Sequence, residues 1–207
     1  FSFSVAATPP FSLFDNKDYA SMSDQDPDKF KMIEYHKWKF KAKVFSPLAP
    51  VSVKRTPVLM TRAEFGFLGT YNKHKRSPFE TFYMGGDGMT GYSSTYATET
   101  IGLRGYENGS IAGNGGYSSY GLAYTRLSME LRYPFILEPS STIYGLVFAE
   151  AGNAWTDMSN YNPFDLKRSA GVGVRIFLPM IGLMGIDWAY GFDEANYGSG
   201  GKRSGSN

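Results

Sequence analysis

The 207-residue chain contains no cysteine. That absence excludes a disulfide framework, thiolate metal sites and cysteine nucleophiles. It also lacks any run of 18 or more apolar residues, so no transmembrane helix is written into it. The longest uncharged hydrophobic stretch, Ile176 to Ile186, has 11 residues and is broken by one proline and two glycines. Charge of one sign is not in excess: 21 basic against 19 acidic residues leave +2. A surface built mainly to hold nucleic acid would be far more basic, so no nucleic-acid partner is expected. Histidine is limited to His36 and His74, and helical periodicity is nearly absent. The mean hydropathy is that of a soluble protein, but the alternating strands of a membrane β-barrel give the same average.

What is present is alternation with period two, the mark of strands with two different faces. From Phe30 to Phe45, one face carries Phe30, Met32, Trp38, Phe40, Ala42 and Val44. The other carries Lys31, Lys37, Lys39, Lys41 and Lys43. From Val58 to Tyr71, Leu59, Ala63, Phe65 and Phe67 oppose Arg62 and Glu64. From Tyr120 to Tyr133, Leu127, Met129 and Leu131 oppose Arg126, Glu130 and Arg132. The run Thr142 to Trp155 is more apolar, with Glu150 its one charge. Ser169 to Leu178 sets a Val/Ile face against Gly171, Gly173, Arg175 and Phe177, and Leu183 to Phe192 sets aromatics against Asp187. With the opening Phe1 to Val5, these runs predict seven strands.

Two features favour a transmembrane barrel over a soluble sandwich. Most runs reach ten residues or more; a soluble strand averages about 5–6 and a tilted membrane strand needs about 9–11. The connections also alternate. The segment before residue 30 is long, Ser46 to Pro57 shorter, Asn72 to Ser119 very long, Pro134 to Ser140 short, Asn153 to Lys167 long and Pro179 to Gly182 short. Outer-membrane barrels alternate short turns and long loops in this way. The charged faces would line a polar lumen and the apolar faces would meet lipid, although a half-wetted soluble sheet would split its faces similarly. Residues 1–193 therefore read as part of a barrel, and 194–207 as a polar, glycine-rich end. The chain opens at Phe1 inside an alternating run, so a piece of a longer protein is expected.

Motifs for chemistry are weak. Lys37 to Lys43 interleaves lysines and aromatics, but alternation puts rings and ammonium groups on opposite faces, which suits a lumen-facing lysine row better than a base-stacking platform. Asp24-Gln25-Asp26-Pro27-Asp28 is like the start of a calcium loop, but Lys29 occupies the position where the EF-hand needs glycine. No G-x-S-x-G is present. Gly113-Asn114-Gly115-Gly116 lacks the strand-to-helix setting of a phosphate loop. Neither enzymatic activity nor a cofactor is expected. The most informative segment is the 48-residue connection from Asn72 to Ser119, because loops that long are usually functional. It holds Leu103-Arg104-Gly105-Tyr106. An arginine flanked by leucine, glycine and tyrosine makes sense if the loop folds back into the barrel, where it would need carboxylate partners. The strand faces offer Glu130 and Glu150.

Five pieces in order resemble one family. Phe82-Tyr83-Met84-Gly85-Gly86 is similar to its aromatic, glycine-paired loop start, and Leu103-Arg104-Gly105-Tyr106 to its V-R-G-F signature. Met129-Glu130-Leu131-Arg132-Tyr133-Pro134 is similar to the L-E-L-R-F-P strand that follows. Phe148 to Trp155 is similar to the next strand, and Ser169 to Arg175 with Pro179 to Gly182 to the last hairpin. The chain thus resembles the C-terminal half of the barrel in the BamA family of outer-membrane protein assembly factors. Its insertion-rich loop and Gly85-Gly86-Asp87-Gly88 are similar to Bacteroidetes-type members. The resemblance implies about strands nine to fifteen of a sixteen-stranded barrel. It implies Arg104 at the tip of loop six, held in the lumen by Glu130 and Glu150, with Phe82, Tyr83, Gly85 and Gly86 at the loop's start. It further implies insertion of β-barrel proteins into the outer membrane, with nascent outer-membrane proteins, other assembly subunits and lipid as partners. A related two-partner secretion transporter, a porin-like channel and a soluble β-rich binding module are the alternatives. Leu103 and Tyr106 replace the family's valine and phenylalanine, and Glu150 stands where aspartate is common.

Overall fold

The computed structural model describes all residues except 24–25, 51–54, 77–78, 89–98, 112–119, 139, 198–200 and 204–207. Seven strands form one sheet: β1 (Ser2–Ala7), β2 (His36–Pro47), β3 (Val58–Gly69), β6 (Ala123–Glu138), β7 (Ser141–Trp155), β8 (Lys167–Leu178) and β9 (Gly182–Gly191). They stand in that order and every neighbouring pair is antiparallel. Two short strands, β4 (Phe82–Met84) and β5 (Glu99–Ile101), pair in parallel inside the long β3–β6 connection, which we call loop six. A last ladder joins β10 (Ala195–Tyr197) to β11 (Gly201–Arg203).

The seven strands expected from alternation are present, with four corrections at their ends. The run starting at Phe30 becomes a strand only at His36. Residues 27–32 form turns and bends instead, beside a buried Glu34 that is held by Ser12 and Lys75. The strand expected to stop at Tyr133 continues through Pro134 to Glu138. Pro134 stays opposite Tyr144, and the register shift between Pro134 and Ile136 leaves Phe135 as the extra residue of a bulge next to the proline. The connection expected from Asn153 starts after Trp155, because β7 runs on to that residue in register with β6. The end read as polar and glycine-rich carries the antiparallel β10–β11 ladder. Asp24 and Gln25 of the calcium-like run and the Gly113–Gly116 pattern lie outside the described residues.

The faces separate as alternation requires. Outward, Trp38, Phe65, Met129, Val147, Val172 and Trp188 stand exposed, and Ile186 is 81% accessible. A continuous apolar wall of this kind is a liability in water and the normal surface of a barrel in lipid. At the long-loop end the segment 156–166 folds over the outside of the sheet. Its Tyr161 ring lies 4.6 Å from Trp155, edge to face, and its hydroxyl meets Thr125 Oγ1 at 3.2 Å.

Inward, the sheet is charged at mid-height and apolar toward the long loops. The apolar part is not closed by the wall alone. Loop six supplies Phe82, Met84, Ile101, Leu103, Tyr106 and Ile111, which pack with Leu68, Leu122, Tyr124 and Ala154 of the wall and its edges into one buried cluster. Burial of loop side chains against the wall stabilises each by roughly 1.5–3 kcal/mol, enough to hold a long connection inside rather than in solvent.

Candidate functional site: an arginine-tipped loop on the inner face

Loop six is folded by its own backbone before it meets the wall. Phe82 exchanges hydrogen bonds with Gly121 at 2.9 and 2.7 Å, tying the loop's start to its end. Gly85 N–H donates to Ile101 O at 3.0 Å, Gly86 N–H to Tyr106 O at 2.9 Å, and Leu103 N–H to Gly86 O at 2.9 Å. The two arms thus zip together and leave Arg104 and Gly105 at the tip. Phe82 is fully buried edge-on against Tyr124, 4.7 Å between centroids, and the Tyr83 hydroxyl donates to Asn108 O at 3.2 Å.

The tip lands on β6, β7 and β9 together. Arg104 Nη2 donates to Glu130 Oε1 at 2.6 Å and to Glu150 Oε1 at 2.7 Å. Its Nη1 donates to Asp187 Oδ2 at 3.1 Å, and its backbone N–H to Glu150 Oε2 at 3.0 Å. The guanidinium carbon sits over Phe148, 3.5 Å from the ring centroid. This combination of a ring contact and several carboxylates is one that arginine satisfies and lysine does not. Burial on its own would favour loss of the proton. The hydrogen bond and charge of Glu150, then the charge of Glu130, outweigh it, so the group is held firmly cationic.

The wall is shaped for this tip. Gly173 of β8 has no side chain on the inner face, and a Cβ there would fall 1.9 Å from Asp187 Oδ1, so Asp187 leans from β9 across the gap toward the arginine. Gly105 has φ +91°, and a Cβ on it would fall 2.9 Å from Gly191 N and from Tyr190 C. Only glycine fits both the left-handed backbone and the contact with β9. Tyr106 is fully buried; its hydroxyl donates to Arg168 O at 2.7 Å and accepts from Asp193 N at 3.2 Å. Arg168 is itself bidentate with Asp193 at 3.1 and 2.9 Å. The motif therefore reaches four strands, arginine to β6, β7 and β9, glycine to β9, tyrosine to β8 and the end of β9.

Of the residues singled out in loop six, Arg104 meets Glu130 and Glu150; Phe82 and Tyr83 instead meet Tyr124 and Asn108, and Gly85 and Gly86 bond the opposite arm of the loop. The structure adds groups that sequence reading did not place there. Asp187 is a third carboxylate on Arg104. Each carboxylate also has an arginine of the wall: Arg126 donates to Glu150 at 2.9 Å, Arg132 to Glu130 at 3.0 and 2.6 Å, and Arg175 to Asp187 at 2.6 Å through both nitrogens. Ser128 Oγ adds a fourth hydrogen bond to Glu150 at 3.1 Å, besides the two from Arg104 and the one from Arg126. All of these lie on charged faces read from alternation; what was missing was the register that sets them side by side.

A seven-stranded antiparallel sheet with an apolar outside, a charged inside and a loop turned inward onto it is the wall of an outer-membrane type β-barrel. A family profile described as the Omp85 superfamily domain matches residues 28–203, and the chain belongs to that superfamily. Among solved structures it is similar to BamA from Haemophilus ducreyi lacking POTRA domains 1–3, at 18% identity and a TM-score of 0.51. That match covers 84% of this chain and 34% of the other, so the chain spans about a third of its structural relative and the likeness is one of fold. No curated protein matches the chain.

Proposed function

We propose that the chain is part of the barrel of an insertase that assembles β-barrel proteins into the outer membrane of a Gram-negative bacterium. The observation that carries this reading is the arginine-tipped loop held on the inner face of an Omp85 superfamily sheet. The work is not bond-making chemistry and calls for no cofactor. The barrel opens laterally and offers a strand edge to an incoming barrel protein, in the manner of β-augmentation. Arg104 fixes loop six and supports the wall; its partners Glu130 and Glu150 hold it there. The partners of the whole protein are nascent outer-membrane proteins, other subunits of the assembly machinery and the surrounding lipid.

The test uses the full-length protein reconstituted in lipid vesicles. Folding of a urea-denatured barrel substrate, followed by its heat-modifiable mobility on gels, is expected to accelerate over empty vesicles and to slow again with Arg104→Ala. Vesicles that leak ions without speeding substrate folding would point to a porin-like channel. Export of a soluble passenger without barrel assembly would point to a secretion transporter. Either result would overturn the insertase reading.

A further inference from the structure

The lysine row of β2 has partners that the arginine site does not explain. Lys37, Lys39 and Lys41 point inward from successive positions of the inner face. Glu99 of β5 lies across all three: its carboxylate is 3.1 Å from Lys37 Nζ, 3.2 and 3.0 Å from Lys39 Nζ, and 3.9 Å from Lys41 Nζ. Lys37 is 5% exposed and also meets Glu80 Oε2 at 3.0 Å and the Phe82 ring at 4.8 Å. Glu80 adopts φ 65°, a left-handed conformation costly for a residue with a side chain, while its carboxylate rests on Lys37. Both glutamates belong to loop six, on opposite arms, and both face β2. Arg104 reaches the far side of the sheet, on β6, β7 and β9.

We propose that loop six has a second, independent anchor, in which Glu99 is the positioning residue and the Lys37–Lys39–Lys41 ladder of β2 is its socket, so that the loop is a tie across the inner face between β2 and β9. Two observations separate this from an ordinary solvated lysine row. One carboxylate serves three ammonium groups on one strand, which fixes β5 along the strand direction. The second carboxylate, Glu80, closes on the most buried lysine from the other arm, so both arms are held and not only the tip.

This chain contributes no cysteine, so in a full-length protein whose cysteines outside it are replaced by serine, Thr100→Cys in vesicles reports on β5 through labelling by a water-soluble maleimide. Glu99→Lys is expected to raise the labelling rate about tenfold, the combined effect of several partly buried ion pairs. Adding Lys39→Glu, which leaves the Lys37–Glu80 pair intact, is expected to bring the rate back to within about threefold of the parent. Glu99→Gln, which keeps the shape, is expected to label about threefold faster and to lose the salt dependence that the parent shows. A merely structural glutamate would give neither charge-swap rescue nor a salt-dependent rate. If Glu99→Lys does not fold, as judged by heat-modifiable mobility, Glu99→Gln decides alone. An unchanged rate in a folded Glu99 variant, or no rescue by the reversed charges, would overturn the second anchor. That outcome is distinct from failure of the insertase reading, which is scored by substrate folding and not by labelling.

Discussion

Removing the acid should hurt the barrel more than removing the arginine. In Arg104→Ala three carboxylates lose a donor, yet none is left alone: Glu150 keeps Arg126, Glu130 keeps Arg132 and Asp187 keeps Arg175. The loss is then that of charge-assisted hydrogen bonds and the ring contact of one side chain, roughly 2–3 kcal/mol. In Glu150→Ala the wall loses a fully buried carboxylate that accepts four hydrogen bonds, and both Arg104 and Arg126 are left short of an anion. Arg104 then keeps Glu130 and Asp187 but Arg126 keeps only Glu64 at 4.0 Å, so the four arginines of the site face one carboxylate fewer and the cost is about 3–5 kcal/mol. We predict that Glu150→Ala lowers the urea midpoint of the full-length protein in micelles further than Arg104→Ala, with unchanged slope for both. The double variant should fall close to Glu150→Ala, since the two share one interaction. If Arg104→Ala were the more damaging, or the two effects simply added, the claim that each wall carboxylate is neutralised without the loop would be refuted.

Four further outcomes are expected. Gly105→Ala forces a Cβ against β9 at a positive φ and should cost about 1–3 kcal/mol by the same unfolding assay. Tyr106→Phe keeps the buried ring but removes the hydroxyl from Arg168 O and Asp193 N–H; about 1 kcal/mol should be lost, with faster hydrogen exchange at Asp193, whereas slow exchange there would refute the contact. Lys75→Met leaves Glu34 buried with Ser12 as its donor among the described residues, so proteolysis within residues 8–35 should quicken while the midpoint of the barrel hardly moves. Burial raises the Glu99 carboxyl, but the hydrogen bond from Lys39 and the charge of Lys37 more than reverse this, and it titrates below the ordinary 4.5. The charged groups facing it are Lys37, Lys39 and Lys41 of β2, with Tyr124 of β6 close by. A depressed carboxyl contributes stability that is complete above the unfolded value and disappears as the pH falls through the folded one. Labelling of Thr100→Cys, normalised to denatured protein, should therefore stay flat from about pH 7 to pH 5 and rise only in more acid solution.

The strands were legible because their side chains must alternate between two different surroundings, and the inner charges of β2, β3 and β6 mark which face is which. Strand ends were less so. Pro134 reads as a break, but a bulge in the β6–β7 ladder carries the strand past it. Phe30 and Met32 alternate correctly and are still outside the strand, in turns and bends beside the buried Glu34. At the site, Arg104 and Glu150 could be picked out as lone charges in apolar company, and Glu130 as the acid on the charged face of its strand. Asp187 could not be assigned to them, since it is 83 residues from Arg104 and is brought over by a glycine gap in β8 that only the register reveals. Glu99 carried no local signal at all. Its meaning depends on β5 lying over β2, a contact made by folding the loop.

The arrangement of charges bears on whether loop six is a fixed plug or a part that can move. Had Arg104 been the sole partner of Glu130, Glu150 and Asp187, lifting the loop would strand three acids on the wall, a barrier that no modest change in conformation could supply. Instead the wall brings Arg126, Arg132 and Arg175, one for each acid, and remains neutral when the tip departs. What resists departure is then the binding of the loop itself: the Arg104 contacts, the fit of Gly105 and Tyr106 against β8 and β9, the apolar cluster, and the Glu99 socket on β2. These terms lie on different strands. A change in the spacing between β2 and β9 would weaken the tie at one end first and leave the other attached. Strand movement and loop release are therefore coupled by geometry, and the coupling should vanish in Glu99→Lys while Arg104 stays bound.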